Sequence, residues 1–491
     1  MTRPIENTAV SVVFFGNANA GKSTLVGYLL DQLNPDISAR RIEEELRRRL
    51  GRVREDAYYS NVVDRRDDEV VRGTEHSSLG TSKEHHVERI ARFLETDDSV
   101  VDAVLIDTPG AAPAYRQRIQ GMSYGDVGVF VLELPRLIRM AEKGAELRDH
   151  IHFFAPLKFW LSLRPDRLPV IVLSKGDLAD PFLGAKMSAY WEEILVKELG
   201  PDHPALPAII TEVRVGERAS KNVLSRDAVD GVQGLDRSLL ATLRLRMVES
   251  LNRRREEISR ERLLLAVSTG KESPGKQTLV AGKVLRGEIA VGQTVRLLPV
   301  RIGSLLAPRG QTQRIATLQR EGGEQVMAAA RGEHIRFALK VGSREVQMIR
   351  GALVLGALDY FEVGSCFAAN FDDSDWPRGR PAPGTEQWLF WFGKVIWIEL
   401  VVIDGSQYIF QTRSRDPIVM SQNADRIYDF DTALVGADRE MSRVLKGKLV
   451  RIGELESVAG HRKADDKSWC DLYRALGRNW AQSSPAVTWA S

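Results

Sequence analysis

Cysteine is almost missing from this chain: Cys366 and Cys470 are the two in 491 residues, and they lie far apart. That excludes a disulfide framework and a closely spaced thiolate metal site, and it fits a reducing compartment. Long apolar runs are missing too. No stretch approaches the roughly 20 residues that a membrane-spanning helix needs. The polar start Met1-Thr2-Arg3-Pro4-Ile5-Glu6 lacks the apolar core of a secretory leader. Together these absences predict a soluble, cytoplasmic protein without a membrane partner. Excess charge of either sign is also small, since 69 basic residues face 66 acidic ones for a net +3. That excludes a chain-wide coat for nucleic acid and leaves only a local basic face. Internal repeats and low-complexity tracts are absent as well.

The length predicts several domains. Residues 11–250 alternate apolar strands (11–15, 101–106, 127–132, 168–173 and 207–213) with amphipathic helices, the pattern of a doubly wound, mostly parallel α/β sheet. From about Leu263 short alternating segments with glycine-bearing turns take over, as in β-barrels. The expected division is 1–251 for the α/β domain, 252–348 and 349–460 for two β-barrel domains, and 461–491 for a tail carrying Trp469, Trp480 and Trp489.

The chemistry is concentrated near the N-terminus. Gly16-Asn17-Ala18-Asn19-Ala20-Gly21-Lys22-Ser23 fits G-x-x-x-x-G-K-[ST], between the strand-like Ser11–Phe15 and the helix opened by Thr24. Such a loop turns its N–H groups inward onto phosphate oxygens, at a helix N-terminus that is partly positive. Lys22 is expected to reach the β- and γ-phosphates and Ser23 to hold Mg²⁺. Asp107-Thr108-Pro109-Gly110 follows an apolar strand, which makes Asp107 a second group on the Mg²⁺ side and Gly110 a sensor of the γ-phosphate. Ser174-Lys175-Gly176-Asp177 ends another such strand. Asp177 can accept from the N1 and N2 donors of guanine, a pair that adenine lacks.

These elements resemble the translational GTPases of the elongation factor Tu and elongation factor 1-alpha class. The P-loop is similar to that class's G-H-V-D-A-G-K-S-T, and Ser174–Asp177 to its [NT]-K-x-D, with Ser174 in place of Asn. Arg72-Gly73-Thr74 resembles a switch motif R-G-I-T short of its isoleucine, with Thr74 the implied Mg²⁺ ligand and Thr81 the fallback. Glu146–His150 resembles Q-T-R-E-H. Gly282-Lys283-Val284, Gly287-Glu288-Ile289 and Val291–Val295 resemble the second domain's G-R-V…G-x-I-x-V-G-D-x-V, and Arg350-Gly351 the entry to the third. The likeness covers roughly residues 10–460.

The resemblance implies GTP, GDP and Mg²⁺ as ligands. Nucleotide contacts fall to Asn19, Ala20, Gly21, Lys22, Ser23, Thr24, Gly110, Ser174, Lys175, Asp177, Val215 and Gly216, and the metal set is Ser23, Thr74 and Asp107. It implies action on aminoacyl-tRNA or the ribosome, with switch order resetting the domains. Alternatives are a metabolic GTPase like the subunit of ATP sulfurylase, or a non-catalytic GTP-dependent binding module. One departure stands out. The class reads D-x-P-G-H, and its histidine positions the attacking water. Ala111 stands there instead, so no catalytic residue is assigned. Slow intrinsic hydrolysis follows, with His76, His85 and His86 as weaker substitutes and a partner protein or RNA as the source of a trigger. The arginines 47–49, 52 and 54 read first as a solvated face paired with Glu43–Glu45, and second as contacts for RNA phosphates.

Overall fold

The computed structural model describes residues within 8–63, 86–110, 118–142, 156–191, 208–224, 238–257 and 263–450, apart from short breaks inside these spans. They divide into two compact units. One holds the chain to Glu261 with Lys283–Ile289 and Gln319–Arg336, and the other holds the remainder.

The first unit is built on a six-stranded sheet. Its strands are β1 (Thr8–Gly16), β2 (His86–Thr96), β3 (Ser99–Asp107), β4 (Val127–Glu133), β5 (Val170–Ser174) and β6 (Ala208–Ile210), in the order β2-β3-β1-β4-β5-β6. All neighbours are parallel except β2, which runs antiparallel to β3 at the edge. The parallel strands are apolar on both faces because helices cover both. Val10, Val12 and Phe14 join one core with Leu25 and Leu29 of α1 (Lys22–Leu33) and with Leu243 and Met247 of the helix Leu239–Glu257. On the other face Phe15 stacks with Phe130 at 5.5 Å and with Trp160 at 5.4 Å between ring centroids.

Two differences from the sequence expectations arise here. β2 was not expected: charged residues interrupt His86–Thr96, which buries Ile90 and Phe93 yet offers no apolar run. β6 ends at Ile210 rather than 213, because the chain turns at Thr211, whose carbonyl accepts from Gly176 N–H. The basic segment forms α2 (Ala39–Leu50), with Ser38 capping Arg41 N–H. Arg47 pairs with Glu43 at 2.9 Å and Arg40 with Glu44 at 3.0 Å, as the solvated-face reading expected. After a short break comes α3 (Ser60–Val63).

The β half contains β7 (Leu264–Ser273), β8 (Gln277–Arg286), β9 (Glu288–Ala290), β10 (Thr294–Ile302), β11 (Leu305–Ala307), β12 (Gln311–Arg320), β13 (Ala328–Ala330), β14 (His334–Lys340) and β15 (Val346–Gly356). The order β10-β12-β14-β8-β7-β15 closes back on β10, giving a six-stranded barrel, with β11 hairpinned onto β10. The expected boundary at 348 falls inside β15. That strand carries buried Leu353, Val354 and Leu355 on to Gly356 and completes the barrel, so the glycine of Arg350-Gly351 is not a break.

A further sheet comprises β16 (Phe361–Gly364), β17 (Cys366–Asn370), β18 (Glu386–Trp391), β19 (Lys394–Asp404), β20 (Gln407–Thr412), β21 (Ile418–Ser421), β22 (Leu434–Ala437) and β23 (Val444–Val450). Six strands run β18-β19-β20-β17-β23-β22, with β16 and β21 paired separately. β18 also lies against β22, which curls the sheet on itself. Its core holds Ile398, Leu400, Tyr408, Ile409 and Phe410. The tail 461–491 lies outside the described residues. Among the described residues, no helix is long and apolar enough to cross a membrane.

Candidate nucleotide site

Parallel strands place their following loops along one edge, and that carboxyl edge is where α/β sheets bind ligands. The register sets Phe14 beside Asp107 and Val129, Glu133 beside Ser174, and Leu173 beside Ile210. The loops after β1, β3, β4, β5 and β6 therefore share an edge, and all three sequence motifs meet there.

The P-loop runs from β1 into α1. Gly16 takes φ 148°, and a Cβ there would meet the Val131 carbonyl at 2.2 Å, so only glycine lets the loop leave the sheet this way. Asn19 (φ 61°) and Gly21 (φ 86°) are left-handed, which curls the chain over the start of α1. Lys22, only 4% exposed, donates to the Asn17 carbonyl at 2.7 Å and spans the inside of the loop. Ser23 Oγ meets Asp107 Oδ2 at 2.6 Å. This couples the P-loop to the end of β3 and sets two hard oxygen donors side by side, a set suited to Mg²⁺.

The turn after β3 is pressed onto the P-loop. Thr108 donates to the Phe14 carbonyl through both N–H (3.2 Å) and Oγ1 (2.8 Å). A Cβ on Gly110 would lie 2.5 Å from Ala18 N and 2.6 Å from Lys22 Nζ. Gly110 therefore lies directly against the P-loop, with no room for a side chain. The buried Arg118 donates to the carbonyls of Pro109 and Gly110, fixing the turn from below. Sequence reasoning missed Arg118, because the arginines of Ala114-Tyr115-Arg116-Gln117-Arg118 carry no spacing signal.

The far end of this edge is built from β5 and β6. Ser174, 3% exposed, brings its hydroxyl to 2.6 Å from the Ala20 carbonyl and 3.0 Å from that of Leu132. The shorter side chain in place of Asn thus still reaches the P-loop. Lys175 (φ 59°) extends toward Glu133, 3.5 Å away. Glu133 was also missed, although a carboxylate closing a buried apolar strand is a readable signal. It lines a cavity of about 410 Å³ beside the P-loop with Asn19, Arg136, Arg139 and Met140. Asp177 sits exposed in the 3₁₀ turn Gly176–Leu178, open to a base. Gly176 N–H donates to the Thr211 carbonyl at 3.0 Å, which brings the loop after β6 alongside. In that loop Val215 is 59% exposed and Gly216 takes φ 82°.

Thr74, Thr81, His76, His85 and Ala111 lie outside the described residues. The backbone of His86 opens β2 opposite Asp107.

No protein-family model matches the chain, and no curated protein sequence does. Solved structures do. The chain is similar to the S. cerevisiae Ski7 GTPase-like domain bound to GTP, at 15% identity and TM-score 0.68 over 90% of this chain and 97% of that one. It is similar to the bacterial selenocysteine-specific elongation factor EF-Sec at 17% identity and TM-score 0.59, covering 90% of this chain but 57% of that one. It is also similar to elongation factor SelB from Methanococcus maripaludis with the GTP analogue GppNHp, at 14% identity and TM-score 0.56, covering 92% of this chain and 82% of that one. The chain has the fold of the translational GTPases, a P-loop α/β domain followed by β-barrel domains.

Proposed function

We propose that this chain binds GTP and GDP with Mg²⁺ at the edge formed by the P-loop, Asp107–Gly110, Ser174–Asp177 and Val215–Gly216, and acts in the cytoplasm as a translation-type switch on tRNA or the ribosome. The observation that carries the reading is the convergence of three separate motifs on one edge, with Ser23 against Asp107, Gly110 against Lys22 and Ser174 against Ala20. The neighbours support it: Ski7's domain is solved with GTP and with GDP plus inorganic phosphate, and EF-Sec and SelB are elongation factors.

In this reading the loop N–H groups and Lys22 hold the phosphates. Ser23, Asp107 and Thr74 hold Mg²⁺, which supplies positive charge to the phosphate oxygens. Gly110 registers the γ-phosphate and Asp177 selects guanine. Lys22→Ala and Ser23→Ala should each weaken GTP binding by about 2–3 kcal/mol or more, since each removes a contact to a buried charge. Fluorescent-nucleotide titration checks this, and unchanged affinity in both variants refutes the phosphate assignment.

Ala111 brings no group that can orient water, so the isolated protein should turn over GTP slowly. Phosphoryl transfer depends on positioning and charge, and a group supplied in trans is worth about 10³–10⁵-fold in other GTPases. Single-turnover assays with and without ribosomes or RNA test this. A fast intrinsic rate that survives replacement of His76, His85 and His86 contradicts it. The same alanine favours a second reading, a GTP-dependent binding module without hydrolysis; tight GTP binding with no turnover under any condition would select it.

A further inference from the structure

The loop after β6 is held from α1, the helix that also carries the phosphate-binding residues. Tyr28 of α1 is fully buried. Its hydroxyl accepts from Ser220 N–H at 2.7 Å and donates to the Arg218 carbonyl at 3.0 Å, so both its hydrogen-bonding roles are spent on one loop. Tyr59 packs edge-on against Tyr28 at 5.1 Å, with the backbone amide of Gly216 near its hydroxyl. Burial, with Asp31 nearby, pushes that phenol up to about 12, so it stays neutral across the working pH range. The loop's own bonds lie mainly at its base, with Arg214 also 3.7 Å from Glu217 beside the tip. Arg214 N–H donates to Ser220 Oγ at 3.1 Å, Glu212 pairs with Arg214 and Lys221, and Asn222 Nδ2 donates to the Ile210 carbonyl at 2.7 Å.

We propose that Tyr28, with Tyr59, is a positioning residue for nucleotide-base selection. It sets the 215–220 loop against the Asp177 turn, so that the peptide N–H groups at the loop's tip, rather than that of Ser220, face the carbonyl acceptor of guanine. Adenine presents an amino donor in that place, so the loop repels it. Lys22 and Tyr28 are six residues apart on one helix, roughly 9 Å of rise. One rigid element thus registers the phosphate cradle and the base loop at a fixed spacing. This inference rests on the reading of the Asp177 turn as the base site.

The test uses the full chain, with GDP and ADP affinities by competition and dissociation by stopped flow with a fluorescent GDP. Tyr28→Phe should release GDP about tenfold faster, from two lost hydrogen bonds. It should leave ADP affinity, which the phosphate cradle supplies, unchanged, so guanine selectivity falls by the same factor. Tyr59→Phe should show the same pattern at a few-fold and serves if Tyr28→Phe melts early. Equal losses for GDP and ADP, or an unchanged GDP dissociation rate, overturn the proposal and leave the tyrosines as core residues. Wild type that does not prefer GDP over ADP removes the base site itself. Wild type that prefers GDP, with variants that keep the preference, removes only the role of the tyrosines.

Discussion

Asp177→Asn should turn a guanine site into a xanthine site. The carboxylate is exposed in a 3₁₀ turn whose backbone is pinned by Gly176 N–H on Thr211 and by Ser174 beneath the P-loop. Its position therefore survives the change of side chain, and only the chemistry at its tip alters. A carboxylate accepts from both guanine N1–H and the N2 amino group, while an amide offers one acceptor and one donor. Hydrogen bonds to a charged group contribute roughly 1.5–3 kcal/mol each, so guanine affinity should fall by about 10²–10⁴-fold. Xanthine carries a carbonyl where guanine has its amino group, so it gains the bond that guanine loses. Competition between XTP and GTP on the variant reads the effect. A variant that keeps its preference for GTP would show that another group reads the base.

Asp126→Ala should give the largest loss of stability. Asp126 and Lys283 both belong to the first compact unit and are almost fully buried, with Lys283 Nζ 3.0 Å from Asp126 Oδ2. The same oxygen accepts from Ser11 N–H at 2.9 Å, and Lys283 also donates to the Tyr124 carbonyl. Alanine leaves an ammonium and a strand N–H buried without their carboxylate. Breaking a buried pair from one side typically costs about 3–5 kcal/mol. Replacing both partners by apolar residues of similar size, Asp126→Leu with Lys283→Met, removes the stranded charge and should recover most of that loss. Thermal midpoints from intrinsic fluorescence check both, and a single variant as stable as wild type would show that the pair is not desolvated in solution.

The nucleotide edge was legible because its chemistry is local. A P-loop, an aspartate after an apolar strand and a lysine–aspartate turn each sit within eight residues, and the parallel strands that carry them are continuous apolar runs. What stayed hidden depends on contacts distant in sequence. Arg118 acts through two backbone carbonyls, which leave no mark on side-chain patterns. Tyr28 reads as core in an apolar helix, and its hydroxyl's role appears only when residues 218 and 220 fold back onto it. β2 is an edge strand with one buried face interrupted by charge, so neither helical nor strand periodicity stands out. The barrel boundary was set too early because Arg350-Gly351 reads as a break, while the pairing of β15 with β7 and β10 carries the strand to Gly356.

Calorimetric titration of the purified full-length chain with GTP and with ATP, both in Mg²⁺, tests guanine-nucleotide binding at this edge most directly. The expected result is one GTP bound per chain, much weaker binding of ATP, and loss of the GTP signal in Lys22→Ala. Equal affinity for ATP and GTP, or GTP binding that survives Lys22→Ala unchanged, would contradict the account.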